Sequence, residues 1–135
     1  ISDSPPIILD AAHNVASMES LVKTLSDQSS LPKKRVLVFA ASADKQLGAM
    51  LRASKDFFSD IVLTRYATNP RAATITRLRK AAEEGGWRDP HVAASPTEAV
   101  MVGKRLSGGK GLLCIAGSFF LATEVRAVLT SLINS

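Results

Sequence analysis

An apolar run, Ile7-Ile8-Leu9, ends in Asp10, and His13 and Asn14 follow at once in "IILDAAHN". A carboxylate, an imidazole and an amide are thus delivered together where the chain turns into a helix. The carboxylate can only accept hydrogen bonds, the imidazole can donate or accept with its protonation, and the amide can do both. Three other apolar runs end in polar groups. "FAASADK" supplies Ser42, Asp44 and Lys45; "TRYATNPRA" supplies Thr64, Arg65, Asn69 and Arg71; "AGS" places Gly117 and Ser118 at a helix start. Such groups converging on one spot would bind a polar or anionic ligand. Each also has a plain structural use. Asp10 and Ser118 can be helix caps, Asn14 is an N-cap in either case, His13 can be a satisfied surface histidine, and Arg65 and Arg71 can belong to a solvated face.

Convergence depends on the elements that carry these residues. Short, continuously apolar runs rich in Ile, Val and Leu predict strands at Pro6–Asp10, Arg35–Ala41, Asp60–Thr64, His91–Ala94 and Gly111–Ala116. Helical spacing places Val15, Met18, Val22 and Leu25 on one face. The same spacing groups Leu47, Met50, Leu51 and Phe58; Ile75 and Leu78; Ala99, Val102 and Leu106; and Leu121, Val125, Val128, Leu129 and Leu132. Ser95-Pro96-Thr97-Glu98 reads as an N-cap, a first-turn proline and a capping-box glutamate, Asn69-Pro70 as a second cap with proline, and Gly85-Gly86 as a helix end. Strands alternating with helices imply an open, parallel α/β sheet, whose ligands bind beyond the carboxyl ends of its strands. All four polar clusters then share one rim. The opposite ends, such as "LPKKR" and "GWRDP", read as solvated turns.

The 135 residues fit one domain, with no internal repeat or second-domain boundary, and 46% hydrophobic residues allow a substantial core. Seventeen Lys and Arg against twelve Asp and Glu give +5, which favours anionic partners. The basic residues are dispersed and aromatics are only 5%, so a nucleic-acid binding surface is not expected. No apolar run has the length of a membrane span, and no signal-peptide pattern opens the chain. Cys114, the single cysteine, lies in "GLLCIAG" and reads as core. "SGGKG" lacks the phosphate-loop pattern and precedes a strand. No G-x-G-x-x-G follows the first strand, no nucleophile elbow is present, and two histidines with one cysteine make a structural zinc site untenable. The chain opens at Ile1 and enters a strand almost at once, so a piece of a longer protein is expected.

"IILDAAHNVASMESLVKTL" resembles the strand, D-G-A-H-N-P and helix segment of folylpolyglutamate synthases and dihydrofolate synthases. "VLVFAASADKQLGAML" is similar to their V-F-G and D-K-D stretch, "NPRAAT" to their P-R-A segment, and "LLCIAGSFFLATEVR" to their G-S to E-V/A-R end. The resemblance runs in order over most of the chain. It implies a single C-terminal domain, residues 1–135, built on an open, mostly parallel Rossmann-like sheet of five or six strands with helices on both faces. It also implies an N-terminal P-loop ATPase domain, absent here, as partner. In that family ATP, with Mg2+, phosphorylates the acceptor carboxylate of folate or dihydropteroate, and the amino group of L-glutamate attacks the acyl phosphate. By the resemblance Asp10, His13 and Asn14 would bind ATP, Ser118 and Arg71 the incoming glutamate, and Asp44, Lys45 and Asn69 would be rim contacts. The domain alone would bind no cofactor or metal and would be inactive. No nucleic acid or membrane partner is expected, and the cytoplasm is the expected location.

The chain departs from the family pattern at four positions. Ala11 replaces a glycine, Val15 a proline, Ala40 the glycine of V-F-G, and Gln46 the second aspartate of D-K-D. Two rival readings stand beside the main one: the C-terminal domain of a cell-wall Mur ligase, and a free-standing module for nucleotides or acidic metabolites.

Overall fold

The computed structural model describes residues 7–134. Strands β1 (Ile7–Leu9), β2 (Arg35–Phe39), β3 (Asp60–Leu63), β4 (His91–Val92) and β5 (Leu112–Ala116) alternate with helices α1 (Val15–Ser26), α2 (Leu47–Lys55), α3 (Ile75–Glu84), α4 (Pro96–Ser107) and α5 (Phe119–Asn134). The strands form one sheet in the order β1-β5-β2-β3-β4, and every pairing is parallel. The α/β expectation therefore holds, with five strands. Strands β1 to β4 end one or two residues before their apolar runs do, where the chain begins to turn, and β5 keeps its last residue but begins at Leu112. Pro6 lies outside the described residues.

Strand side chains alternate between two covered faces. Leu37, Phe39, Ile61, Leu63, Leu112 and Cys114 pack with Met18, Leu21, Leu25, Met50, Leu51 and Leu78, the buried sides of α1, α2 and α3. Val36, Val38, Val62, Leu113 and Ile115 pack with Ala99, Val100, Leu121 and Val125 of α4 and α5. Each fully buried aliphatic side chain contributes roughly 1.5–3 kcal/mol, which is why strands covered on both faces are continuously apolar. Among the described residues no helix is long and apolar enough to cross a membrane.

Several helical details differ from the periodicity reading. In α1, Leu21 takes the central buried place, and Val15 and Val22 lie at its margins. Phe58 falls beyond α2, just past the turn at Asp56 and Phe57, where its ring meets Phe57 edge-on at 5.0 Å. Helix α3 is capped by Thr74, whose hydroxyl accepts the Arg77 N–H, and not by Asn69-Pro70. Ser95 caps α4 as expected, but Pro96, Ala99, Val100, Gly103 and Ser107 form its buried side, while Val102 and Leu106 are only partly covered. Close approach explains this shift. A Cβ at Gly103 would stand 2.6 Å from Leu113 Cδ1 and 3.3 Å from Val38 Cγ2. The helix presents its small residues so that it can rest directly on β2 and β5. Bulkier Val102 and Leu106 on that line would hold it away.

Two outcomes follow from this packing. Gly103→Val is expected to lower stability by about 1–3 kcal/mol through overpacking, whereas Met101→Ala, at an exposed position of the same helix, should change it little; urea unfolding compares them. Burial, and secondarily the charge of Asp10, pushes the Cys114 thiol from 9.0 up to about 12. The unfolded thiol ionises first, so the folded chain binds more protons between about 9 and about 12 and stability falls as pH rises through that interval. Cys114→Ala should flatten that part of the unfolding profile relative to the parent chain.

Candidate functional site

The turn from β1 to α1 is built by its own polar residues. The Asp10 N–H donates to the Ile115 carbonyl at 3.0 Å and extends the ladder by one bond. Asp10 Oδ1 then accepts the Ala12 N–H at 2.8 Å, a side-chain turn that reverses the chain. Asn14, not Asp10, caps α1: its Oδ1 accepts the Ser17 N–H at 2.8 Å, and Ser17 Oγ accepts the Asn14 N–H at 3.0 Å. His13 is exposed, with Nδ1 3.1 Å from the Ala11 carbonyl. That contact requires a proton on Nδ1 and leaves Nε2 for a ligand. Val15 stands at the first helical position, where the family's proline is also favoured. No non-glycine residue has positive φ among the described residues, so Ala11 and Ala40 replace glycines without backbone strain.

The turn from β5 to α5 is tighter. The Gly117 N–H donates to the Ala12 carbonyl at 2.9 Å and ties the two turns together. Gly117 has φ +116°, and a Cβ there would lie 2.4 Å from the Ala40 carbonyl oxygen and 2.8 Å from the Phe39 ring. Only glycine fits. Ser118 is 4% exposed, and its hydroxyl accepts the Phe120 N–H at 3.0 Å, which caps α5 and leaves the hydroxyl proton for an outside acceptor. Phe119 is 62% exposed at the same helix start.

The loops after β2 and β3 are joined to each other. Ser42 bridges Ala72, the Ala43 N–H donates to the Arg71 carbonyl at 2.7 Å, and Ser42 Oγ lies 3.0 Å from the Tyr66 hydroxyl. Asn69 Oδ1 accepts the Arg71 N–H at 2.8 Å and shapes the turn that carries the guanidinium. Thr64 is buried, with its hydroxyl donating to the Ala93 carbonyl, and so is removed from the rim. Gln46 precedes α2 without a side-chain capping bond.

These loops enclose a cleft of about 310 Å³. Its lining brings together His13, Asp44, Lys45, Asn69, Arg71 and Ser118, with Ser42, Gly117, Phe119 and Phe120 completing the wall. Asp10 and Asn14 are not part of that wall; they support the turn that presents His13. The sequence does not mark Phe119 and Phe120 as site residues, because a phenylalanine at the start of an apolar helix has no periodic signature that separates a cleft wall from a core face. A second cleft, about 330 Å³, lies between α2 and α3 and is lined by Lys45, Arg77, Lys80 and Glu84. The rim cleft is the better site because loops from four strands meet there and buried Ser118 opens into it.

Among the described residues the only ion pairs involve Asp60, so Lys45 and Arg71 have no ion-pair partner there. They suit a carboxylate or a phosphate. His13 and Ser118 share the cleft but make no hydrogen bond to each other, which gives no nucleophile–base pair. No three His, Cys, Asp or Glu among the described residues gather as metal ligands, so the donor set does not fit a resident metal. The site can bind and orient an anion.

Residues 1–119 match the family model described as Mur ligase, glutamate ligase domain. The chain belongs to that family. The glutamate ligase domain also resembles solved structures. Mycobacterium tuberculosis folylpolyglutamate synthase complexed with ADP is 27% identical, with a TM-score of 0.82 over 90% of this chain and 29% of that one. Escherichia coli FolC in complex with ADP, without folate substrate, is 21% identical with a TM-score of 0.85 over 100% and 31%. The bifunctional folylpolyglutamate synthase/dihydrofolate synthase of Yersinia pestis with Mn, AMPPNP and L-glutamate bound is 21% identical with a TM-score of 0.82 over 96% and 30%. The chain thus spans less than a third of the length of these structures. No curated protein sequence matches it.

Gly117→Ala is expected to cost about 1–3 kcal/mol, since alanine must either adopt a strained φ or drive β5 away from Ala40. Urea unfolding measures the loss. Faster amide exchange at position 117 should accompany it, because the bond to Ala12 is broken.

Proposed function

We infer that this chain is the C-terminal domain of an ATP-dependent ligase that adds L-glutamate to folate, a folylpolyglutamate synthase with or without dihydrofolate synthase activity, acting in the cytoplasm. The observation that carries this reading is the rim cleft. It holds His13, Lys45, Arg71 and Ser118, with Asp44 in the same wall, and among the described residues no ion pair, nucleophile pair or metal cage forms there. Such a site binds an anion but cannot activate one. The activating machinery would belong to an N-terminal ATPase domain that closes on this rim. Two of the similar proteins were solved with ADP and a third with Mn, AMPPNP and L-glutamate, which supports this reading over a cell-wall acceptor or a free-standing module.

In this reading the acceptor carboxylate of folate or dihydropteroate is activated as an acyl phosphate, and the glutamate amine displaces phosphate from it. The contribution of this chain is placement, which can supply a large share of a two-substrate reaction's barrier reduction. Ser118, with its free hydroxyl proton at the N-terminus of α5, and Arg71 hold carboxylate oxygens of glutamate. Asp44, Lys45 and Asn69 border the same subsite. His13 Nε2 faces a phosphate oxygen, and Asp10 Oδ2, not used in the turn, accepts from a ribose hydroxyl. Asn14 keeps the turn in place. Mg2+ would neutralise the phosphates and would be held by the other domain.

Kinetics of the full-length protein carrying this domain test the assignment. His13→Ala is expected to lower turnover about ten- to a hundredfold, the effect of losing a charge-assisted bond of about 1.5–3 kcal/mol, with a smaller change in ATP affinity. Asp10→Asn keeps the acceptor for Ala12 and should show the same pattern more weakly. Ser118→Ala should raise the KM for L-glutamate and leave ATP binding alone. ADP release that does not depend on folate and glutamate, or near-parental turnover of both His13→Ala and Asp10→Asn, would defeat the reading.

A further inference from the structure

Glu124 lies on α5, in the "EVR" that is similar to the family's E-V/A-R end, a resemblance that by itself gives the side chain no role. Its Oε2 accepts two backbone N–H groups, those of Ala67 and Thr68, each at 2.8 Å. These amides belong to the loop after β3, 57 and 56 residues away in sequence. Ala67 and Thr68 are exposed, so water could satisfy them equally well. The carboxylate is therefore not needed to cover buried donors. What it does is fix a position. Asn69 and Arg71 follow directly in the clamped loop and line one side of the rim cleft, while Ser118 and Phe119, at the start of the helix that carries Glu124, line the other. Beneath the clamp, the buried Tyr66 ring stacks on Phe120 at 5.7 Å, with 29° between the planes. The loop is thus tied to α5 by stacking just before the clamped amides and by the carboxylate at them.

We propose that Glu124 is a positioning residue that sets the separation between Arg71 and Ser118, and so the affinity of the cleft for the carboxylates of the incoming amino acid. The proposal rests on the glutamate-binding reading of this cleft. A helix and a loop held by two charge-assisted bonds keep the guanidinium and the hydroxyl at a fixed spacing before substrate arrives. Without the clamp, Arg71 keeps its bonds to Asn69 and to the β2 loop at Ala43, but the loop loses this tie to α5, and the ligand itself must fix the distance from Arg71 to Ser118, a cost that appears in binding. A glutamine here keeps one neutral acceptor oxygen for the two amides; an alanine keeps none.

The test uses the full-length protein with Glu124→Ala and Glu124→Gln. Amide exchange at Ala67 and Thr68 should accelerate in Glu124→Ala and stay near the parental rate in Glu124→Gln. In steady-state assays, Glu124→Ala should raise the KM for L-glutamate about five- to thirtyfold, with the KM for ATP changed less than about twofold, and Glu124→Gln should recover most of that loss. Unchanged exchange in Glu124→Ala would overturn the clamp. Accelerated exchange with an unchanged KM for glutamate would overturn the positioning role, as would equal rises for both substrates accompanied by a lowered melting temperature. If the parent protein releases no ADP in response to glutamate, the ligase reading fails and the positioning role fails with it, while exchange still decides the clamp.

Discussion

Strand β5 is fully buried from Leu112 to Ala116 and is paired on both edges, with β1 on one side and β2 on the other. Its two neighbours continue into α1 and α2 on one face of the sheet, whereas β5 itself continues into α5 on the opposite face. The chains leaving three adjacent strands therefore part in different directions, and a crevice opens at the carboxyl end of β5. Gly117 stands at the bottom of it. The contact of its backbone with Ala40 and Phe39 and its bond to Ala12 bring the three turns within reach of one ligand.

Charge is distributed along the same axis. At the amino end of the sheet Asp60 holds Lys34 at 2.7 Å and lies 3.9 Å from His91, a local neutralisation at exposed groups that contributes little stability. At the carboxyl end Lys45 and Arg71 have no such partner among the described residues. Leaving cations unpaired near one another gives up a little Coulomb energy and creates an anion site, so the arrangement makes sense as binding and not as folding.

The rim is rigid in places and open in others. Buried Thr64 and Tyr66 hold the start of the β3 loop, the bridge between Ser42 and Ala72 joins it to the β2 loop, and Glu124 ties it to α5. Arg71, Asp44, His13 and Phe119 nonetheless remain exposed. A site with a fixed frame and an exposed wall of charged and aromatic groups is suited to closure by a second surface.

The sequence by itself determined the alternation of strands and helices, because a strand covered on both faces must be continuously apolar and an amphipathic helix must repeat its apolar residues at helical spacing. It also determined that Asp10, His13, Asp44, Asn69 and Ser118 occur at carboxyl ends of strands, since parallel topology sends all such ends to one rim. The tertiary structure decided what a local pattern does not contain. It rotated α4 onto Gly103, because the distance between helix and sheet depends on partners distant in sequence. It moved the cap of α3 from Asn69 to Thr74, because Asn69 is used in the turn before Arg71. It withdrew Thr64 into the core, used one oxygen each of Asp10 and Asn14 to build the turn that carries His13, and brought Glu124 to Ala67 and Thr68. Each of these depends on which backbone groups a fold places nearby, and hydrogen-bonding side chains take the partner that proximity offers.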